Sequence, residues 1–218
     1  MKRIIIITLF LLMASTAFAQ TDWAGYNVYE QANKNQVTAP LAVFMGNSIT
    51  QGWVDNNPNF FTENNYLGRG ISGQTTYEML ARFQADVVAL NPKYVVILAG
   101  TNDLALNQGY ITSENMLGNI KSMCQIALYN NIEPVLCSVL PVYEYSWRKE
   151  VGVVADTIKN FNKMLEDYAK ESGIKYVDYH SPLQDDRGGL PEGYSFDGVH
   201  LTGDGYRVIE AIIKPILK

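Results

Sequence analysis

The alternation of short apolar runs with amphipathic segments is the feature that most limits how this 218-residue chain can fold. Five runs typical of buried strands occur at residues 41–45, 66–67, 94–98, 134–139 and 175–177. Four segments with apolar residues at helical spacing occur at residues 77–90, 113–129, 156–170 and 205–217. Strands that alternate with helices of this length form βαβ units with right-handed crossovers. The sequence therefore predicts an α/β fold with a parallel sheet.

The beginning of the chain has the pattern of a secretory signal peptide. Two basic residues precede an apolar run at residues 4–13, and Ala17-Phe18-Ala19 forms a small-residue cleavage site. This run is shorter than the about 20 residues that a membrane-spanning helix needs. We therefore predict a signal peptide at residues 1–19, a single domain at 20–218 and no stable membrane insertion after cleavage. Such a protein is exported to the periplasm or the extracellular space. A helix and linker in residues 20–40 are predicted to pack outside the sheet.

Charge and cysteine content limit the classes of partner. The formal net charge is −5, and removal of the signal peptide takes away two positive charges. An acidic surface without a basic cluster argues against nucleic acid and anionic membranes as partners. Cys124 and Cys137 are the only cysteines, and we expect two buried thiols because Cys124 falls in a helical pattern and Cys137 in an apolar strand. Two cysteines provide no disulfide framework, and no Cys/His cluster resembles a metal site. We predict no metal and no cofactor, and the sequence leaves the oligomeric state open.

Three short motifs follow predicted strands, and a fourth precedes the last helix. They are Gly46-Asn47-Ser48, Gly68-Arg-Gly-Ile-Ser-Gly73, Gly100-Thr-Asn-Asp103 and Asp197-Gly-Val-His200. In an open α/β sheet, ligands bind outside the carboxyl ends of the strands. We therefore expect the four motifs to meet at one edge of the sheet.

Together these motifs contain the groups that acyl transfer requires. Ser48 is the candidate nucleophile and His200 the candidate base, with Asp197 placed to accept the Nδ1 proton of His200. The backbone N–H groups of Ser48 and Gly73 and the side-chain amide of Asn102 are candidate oxyanion donors. In the same motif, Asp103 is expected to cap the turn that follows it.

In order and spacing, the four motifs resemble those of the SGNH (GDSL-type) hydrolases over nearly the whole mature chain, from about residue 41 to 217. The segment Phe196-Asp-Gly-Val-His-Leu-Thr-Gly-Asp-Gly-Tyr206 further resembles platelet-activating-factor acetylhydrolase-like acylhydrolases. The resemblance implies a flavodoxin-like, three-layer α/β/α sandwich with a five-stranded parallel sheet. It also implies metal-independent cleavage of esters.

Carried over residue by residue, the resemblance implies Ser48 as nucleophile and Gly73 and Asn102 as oxyanion donors. Asp197 and His200 would complete the triad.

The chain departs from the family pattern at three positions. Asn47 replaces the aspartate of the common Gly-Asp-Ser, Gly68 replaces the asparagine of Asn-Arg-Gly, and Gln74 replaces the aspartate that usually follows the glycine of the second motif. We expect these changes to affect substrate preference and loop stability, because none removes a catalytic group.

Two other interpretations of the glycine motifs fail. Gly68-x-Gly-x-x-Gly73 matches a dinucleotide fingerprint, but it follows the second strand and lacks the ribose-binding acid at the expected distance. Thr50 occupies the second glycine position of the α/β-hydrolase motif Gly-x-Ser-x-Gly.

The preferred function is a secreted serine esterase that acts through an acyl-serine intermediate on a small-molecule or glycan ester, with O-acetyl groups on carbohydrate as the substrate. The alternatives are a lipid acyl hydrolase of the lysophospholipase or thioesterase kind, and a non-catalytic carbohydrate-binding protein on the same fold. A metal-dependent hydrolase would have to use Asp185, Asp186 and His180, although His180 is expected to be structural.

Aromatic residues supply a further prediction. The segment 141–152 is either a wall over the site or a packed surface loop. Five aromatics could form a sugar-binding rim: Trp53, Tyr66, Tyr143, Tyr145 and Trp147.

Overall fold

Five parallel strands form the middle layer of the structure, a computed structural model that describes residues 22–218. The strands are β1 (Ala42–Gly46), β2 (Tyr66–Gly70), β3 (Tyr94–Leu98), β4 (Glu133–Cys137) and β5 (Lys175–Val177). Their spatial order is β2-β1-β3-β4-β5, and each neighbouring pair is parallel. This is the flavodoxin-like order, which confirms the predicted fold class. The predicted signal peptide lies outside the described residues.

Eight α-helices accompany the sheet within residues 22–218. They are α1 (Tyr26–Lys34), α2 (Ser48–Asn56), α3 (Pro58–Thr62), α4 (Thr76–Asp86), α5 (Thr101–Leu104), α6 (Ser113–Tyr129), α7 (Ala155–Ser172) and α8 (Gly203–Ile213). Short 3₁₀ turns occur at Val88–Leu90 and Lys149–Val151. In this part of the chain, no helix combines the length and the apolar character needed to cross a membrane.

Successive strand residues point to opposite faces of the sheet, and each face is covered by its own helices. In β1, Val43 and Met45 pack with residues of α4, α6 and α7, whereas Ala42 and Phe44 pack with residues of α2, α3 and α8. Every residue of β3 is buried, as expected for a central strand covered on both faces. The three layers therefore follow from strands that are apolar on both sides.

The N-terminal helix α1 lies outside the sheet, against α4. Tyr26 Oη donates to the carbonyl of Ala81 (2.7 Å), and Asn33 Nδ2 donates to the carbonyl of Ala85 (3.2 Å). These contacts confirm the predicted position of this segment.

The boundaries of several elements differ from prediction. β4 ends at Cys137 because the side chain of Asn162 binds the N–H and C=O of Val139 (2.7 and 2.9 Å), which takes that residue out of the ladder. Helix α2 was not predicted, because only Ile49, Thr50 and Trp53 are buried in it and its apolar pattern is short.

Both cysteines are buried and unpaired, as predicted. Burial raises the pKa of each thiol to about 12, so neither is a reactive thiolate at neutral pH.

Candidate active site

The first strand delivers Ser48 to the carboxyl edge of the sheet at the first turn of α2. A Cβ atom on Gly46 would lie 2.0 Å from Thr50 Oγ1, so only glycine permits the chain to turn this closely into the helix. Buried Asn47 caps α2, since its Oδ1 accepts a hydrogen bond from the N–H of Ile49 at 3.0 Å. Asn47 thus supplies a capping oxygen to α2 without carrying the charge that an aspartate would have at this position.

Ser48, His200 and Asp197 form a continuous chain of hydrogen bonds. His200 Nε2 lies 2.8 Å from Ser48 Oγ, and His200 Nδ1 lies 2.7 Å from Asp197 Oδ2. The side chains of His200 and Asp197 are each 29% exposed, so the pair sits at the surface of a cleft. When His200 Nδ1 carries the proton and donates it as a hydrogen bond to Asp197, the Nε2 lone pair faces the Ser48 hydroxyl, the arrangement that a general base requires.

The environment of Asp197 favours its ionised form. Burial raises the pKa of this carboxyl, but the hydrogen bonds from the His200 ring and from the N–H groups of His200 and Val199 outweigh burial, and the pKa lies below its ordinary value. The two backbone N–H groups both donate to Asp197 Oδ1, at 2.7 and 2.9 Å. Asp197 is therefore a carboxylate at neutral pH.

A tight turn before α8 sets the spacing of the Asp197–His200 pair. Ser195 Oγ donates to the carbonyl of His200 (2.7 Å) and accepts from the N–H of Gly198 (2.9 Å). Gly198 has φ +82°, a conformation that favours glycine. The sequence reasoning missed Ser195, although a hydroxyl residue two positions before Asp-Gly is a turn signal.

The second motif, which carries Gly73, contacts both Asn102 and helix α2. Gly73 has φ +80°, and its N–H has no hydrogen-bond acceptor within residues 22–218. Asn102 Nδ2 donates to the carbonyl of Gln74 (2.9 Å), which joins the second and third motifs and leaves one N–H of the amide free. Ser72 binds Gln51 of α2 through its N–H and Oγ, both at 3.0 Å from Gln51 Oε1.

Asp103 has a different role from the predicted one. Its carboxylate accepts hydrogen bonds from the N–H and Oγ1 of Thr76, with O–O distance 2.6 Å to Oγ1, so it caps α4 and not its own turn. Since Thr76 begins α4 and Asp103 lies in α5, these hydrogen bonds join the starts of two helices that follow neighbouring parts of the sheet edge. Burial raises the pKa of Asp103 to about 6, although these hydrogen bonds oppose that change.

A buried arginine that the sequence reasoning missed lies behind the second motif. Arg82 is fully buried in α4, pairs with Asp86 (2.8 Å) and donates through Nε to Gln74 Oε1 (2.6 Å). Its Nη2 donates to the carbonyls of Gly46 (3.0 Å) and Arg69 (2.9 Å), the last parts of β1 and β2. The signal in the sequence was an arginine on the apolar face of a helix, with an aspartate four residues later.

The predicted aromatic rim is mostly wrong. Trp53, Tyr66 and Tyr145 are at most 4% exposed and belong to the core, because they pack against the sheet or under the loop. Trp147 is 41% exposed, and half-buried Tyr143 lines a cleft that also borders Asp197. The missed aromatic is Phe196, which is 72% exposed and stacks on the His200 ring with centroids 5.9 Å apart.

The segment 141–152 lines a cleft of about 230 Å³ next to the triad. Glu144, Ser146 and Lys149 contribute polar groups from this segment, and Arg187 and Asp197 face them. The segment is thus both a packed loop, through Tyr145, and a wall of the cleft.

The residues of the metal-dependent alternative do not come together. Within the described part of the chain, no group of three or more His, Cys, Asp or Glu side chains is arranged to hold a metal ion. Asp185 binds Arg187 and the N–H of Gly189 (3.0 Å). His180 is buried, and burial lowers its pKa.

Comparison with known proteins places the chain in a family. The model of the GDSL-like Lipase/Acylhydrolase family matches residues 44–208. A provisionally assigned acylhydrolase from Bacteroides fragilis NCTC 9343 is 40% identical, with TM-score 0.89 over 91% of this chain and 98% of that chain. A GDSL-like lipase from Bacteroides thetaiotaomicron VPI-5482 is 44% identical, with TM-score 0.86 over 89% of this chain and 97% of that chain.

Curated relatives are more distant. The acetylxylan esterase of Geobacillus stearothermophilus is 21% identical over 152 residues, which cover 66% of this chain and 67% of that protein. The chain spans 39% of the length of another curated relative. The family model and the two Bacteroides structures nevertheless confirm the prediction from the four motifs: the chain belongs to the GDSL-like lipase/acylhydrolase family and is an enzyme of the esterase/acylhydrolase class.

Proposed function

We propose that the protein is an exported serine esterase that removes small acyl groups, acetyl above all, from carbohydrate. The observation that carries the catalytic part is the continuous contact from Ser48 Oγ through His200 to Asp197, at 2.8 and 2.7 Å. This is the geometry of an activated nucleophile whose base is held by a third group.

In the first half-reaction, Ser48 Oγ attacks the ester carbonyl carbon while its proton passes to His200 Nε2. The carbonyl oxygen of the tetrahedral intermediate accepts hydrogen bonds from the N–H groups of Ser48 and Gly73 and from Asn102 Nδ2. The N–H of Ser48 is available for this because the first residue of a helix has no intrahelical acceptor. His200 then gives the proton to the leaving alcohol, and acyl-Ser48 remains.

In the second half-reaction, water gives a proton to His200 Nε2 and attacks the acyl carbon. The intermediate collapses, Ser48 Oγ regains the proton from His200, and the carboxylic acid leaves. Asp197 stays ionised throughout and stabilises the positive imidazolium, which its low pKa permits.

The character of the cleft supports a hydroxyl-rich leaving group. Six of the side chains that line the 230 Å³ cleft can form hydrogen bonds or carry charge: Tyr143, Glu144, Ser146, Lys149, Arg187 and Asp197. Phe196 offers an exposed ring next to His200, a surface on which the apolar face of a sugar ring can lie. The acetylxylan esterase relative acts, by its name, on an acetylated polysaccharide.

Export is the remaining part of the proposal. It rests on the signal-peptide pattern of residues 1–19 and suits an enzyme whose substrate is a polymer outside the cell.

The proposed role of Ser48 as nucleophile is tested by comparing the hydrolysis of p-nitrophenyl esters by wild type, Ser48→Ala and Ser122→Ala. Ser122 lies in α6, where its hydroxyl binds the carbonyl of Gly118, so Ser122→Ala is a matched control that should keep full activity. We expect Ser48→Ala to lower kcat by at least about 10³-fold. Equal rates for Ser48→Ala and wild type would exclude Ser48 as the nucleophile.

A second series tests the substrate. The kcat/KM of wild type should fall from acetate to octanoate esters, and acetate should be released from acetylated xylo-oligosaccharides in a Ser48-dependent manner. A rise in kcat/KM with chain length would favour a lipid acyl hydrolase. Binding of oligosaccharide without any Ser48-dependent turnover would favour a carbohydrate-binding protein.

A further inference from the structure

The oxyanion amide of Asn102 is connected to the segment 141–152 through one intermediate residue. Asn107 Nδ2 donates to Asn102 Oδ1 at 3.0 Å, and Trp147 Nε1 donates to Asn107 Oδ1 at 3.0 Å. Asn102 is 4% exposed and Trp147 is 41% exposed. Two hydrogen bonds therefore lead from a ring at the surface to a buried amide of the catalytic site.

The direction of both hydrogen bonds is set by Trp147. The indole N–H can only donate, so it binds the oxygen of the Asn107 amide and turns the Asn107 NH₂ group toward Asn102. That NH₂ group in turn selects the oxygen of the Asn102 amide. The Nδ2 of Asn102 is left on the opposite side, where one N–H binds the carbonyl of Gln74 (2.9 Å). The second N–H is the one available to an oxyanion.

The two hydrogen bonds from Trp147 through Asn107 to Asn102 form a relay. Hydrogen bonds to backbone carbonyls hold this relay in place at both ends. The N–H of Asn107 donates to the carbonyl of Asn102 at 3.0 Å, after a left-handed turn at Leu106 (φ +54°). On the other side, buried Tyr145 donates to the carbonyl of Thr101 at 2.9 Å. The rings of Tyr145 and Trp147 have centroids 5.2 Å apart, so the loop cannot carry Trp147 away from Asn107 without disturbing Tyr145.

We propose that Asn107 and Trp147 are positioning residues that hold the Asn102 amide with its NH₂ group toward the reacting carbonyl oxygen. This inference rests on the proposed function, which assigns Asn102 to the oxyanion site. It adds that the loop beside the cleft controls the electrostatic stabilisation of the transition state, because Trp147 belongs to that loop. Neither residue contacts the reacting atoms, so their effect is on kcat through Asn102.

Asn107→Asp is the most direct perturbation. The carboxylate still accepts from Trp147 but cannot donate to Asn102 Oδ1, so two acceptors face each other and only the carbonyl of Gln74 still orients the Asn102 amide. We expect kcat for p-nitrophenyl acetate to fall on the order of 10–10²-fold with little change in KM, since loss of a whole oxyanion donor costs about 10²–10³-fold. Asn115→Asp makes the same change on an exposed residue of α6 and should leave kcat unchanged.

Trp147→Phe is a milder variant that keeps a ring on the surface and removes only the N–H. We expect it to fold like wild type and to lose about fivefold in kcat, the effect of one neutral hydrogen bond. Because Trp147 is half exposed, this variant provides a test even if Asn107→Asp is too unstable to assay.

A double-mutant cycle separates positioning from a general structural effect. In an Asn102→Ala background, the relay has no amide to orient, so Asn107→Asp and Trp147→Phe should cause no further loss of kcat. Equal losses in both backgrounds, or wild-type kcat for Asn107→Asp and Trp147→Phe, would overturn the relay. Full activity of Asn102→Ala would overturn it as well. In each of these cases Ser48-dependent turnover by wild type leaves the proposed esterase standing, whereas its absence would overturn both proposals.

Discussion

Replacing Arg82 with methionine tests whether a buried guanidinium holds the ends of β1 and β2 to the loop that carries Gly73 and Gln74. Arg82 is fully buried and binds four partners: the Asp86 carboxylate, the Gln74 side chain and the carbonyls of Gly46 and Arg69. Methionine keeps much of the apolar volume but removes every donor. The change therefore isolates the polar network from the packing of α4.

The expected loss of stability follows from the buried groups that Arg82→Met leaves without a hydrogen-bond partner. Asp86 is 1% exposed, and removing one member of a buried ion pair typically costs about 3–5 kcal/mol. Asp86 keeps a hydrogen bond from Asn33 Nδ2 (2.6 Å), which limits the damage. We expect Arg82→Met to lower the free energy of unfolding by about 4 kcal/mol. A domain with a stability of about 5–15 kcal/mol can still be folded after such a loss.

Urea denaturation followed by tryptophan fluorescence measures this change. Arg82→Met/Asp86→Leu removes both charges and should recover about 1–2 kcal/mol of the loss, since the buried carboxylate is no longer unpaired. Arg207→Met removes an arginine that is 69% exposed in its pair with Asp204, and should change stability by less than about 0.5 kcal/mol. The reasoning is refuted if Arg82→Met costs less than about 1 kcal/mol, or if the double variant is no more stable than the single one.

Two further predictions concern carboxylates of the site. Asp197→Asn should lower kcat on the order of 10³–10⁴-fold with little change in KM, because asparagine cannot hold the His200 tautomer that accepts the Ser48 proton; a variant with more than a tenth of wild-type kcat on p-nitrophenyl acetate would contradict this role. For Asp103, the folded-state pKa of about 6 exceeds the ordinary value of 3.8, so the folded protein binds more protons than the unfolded chain between these pH values. Its contribution to stability should therefore fall by on the order of 3 kcal/mol as the pH rises from about 4 to above 6. Urea denaturation of wild type and Asp103→Asn at pH 4 and pH 7 measures it, and a stability difference that is the same at both pH values would count against the argument.

Local patterns were sufficient to predict much of the fold. Each central strand is apolar on both sides, as in residues 94–98, and each long helix repeats apolar residues at helical spacing, so the number and parallel direction of the strands followed. Boundaries were less predictable, since they depend on contacts between distant residues. The end of β4 is decided by Asn162 of α7, which no pattern around residue 137 can reveal.

The candidate triad and oxyanion donors could be predicted from the sequence because each residue belongs to a short motif that also determines the local backbone conformation. Three glycines mark places where the chain must turn sharply: Gly46, Gly73 and Gly198. Such constraints act over a few residues and remain visible in the linear chain.

Contacts across long sequence separations belong to the tertiary structure alone. Arg82 reaches back to Gly46, and Asp103 crosses to Thr76 instead of capping its own turn. The tertiary structure also determines which aromatic side chains are exposed near the site. Trp53 lies in the core, whereas Phe196 is exposed beside His200. The sequence by itself determined the class of fold and the chemical groups of the candidate site. The fold class follows from the local periodicity of apolar residues, and the site groups lie in short motifs with turn residues. Only the folded chain decided which side chains support those groups, because that depends on which loops lie next to one another at the edge of the sheet.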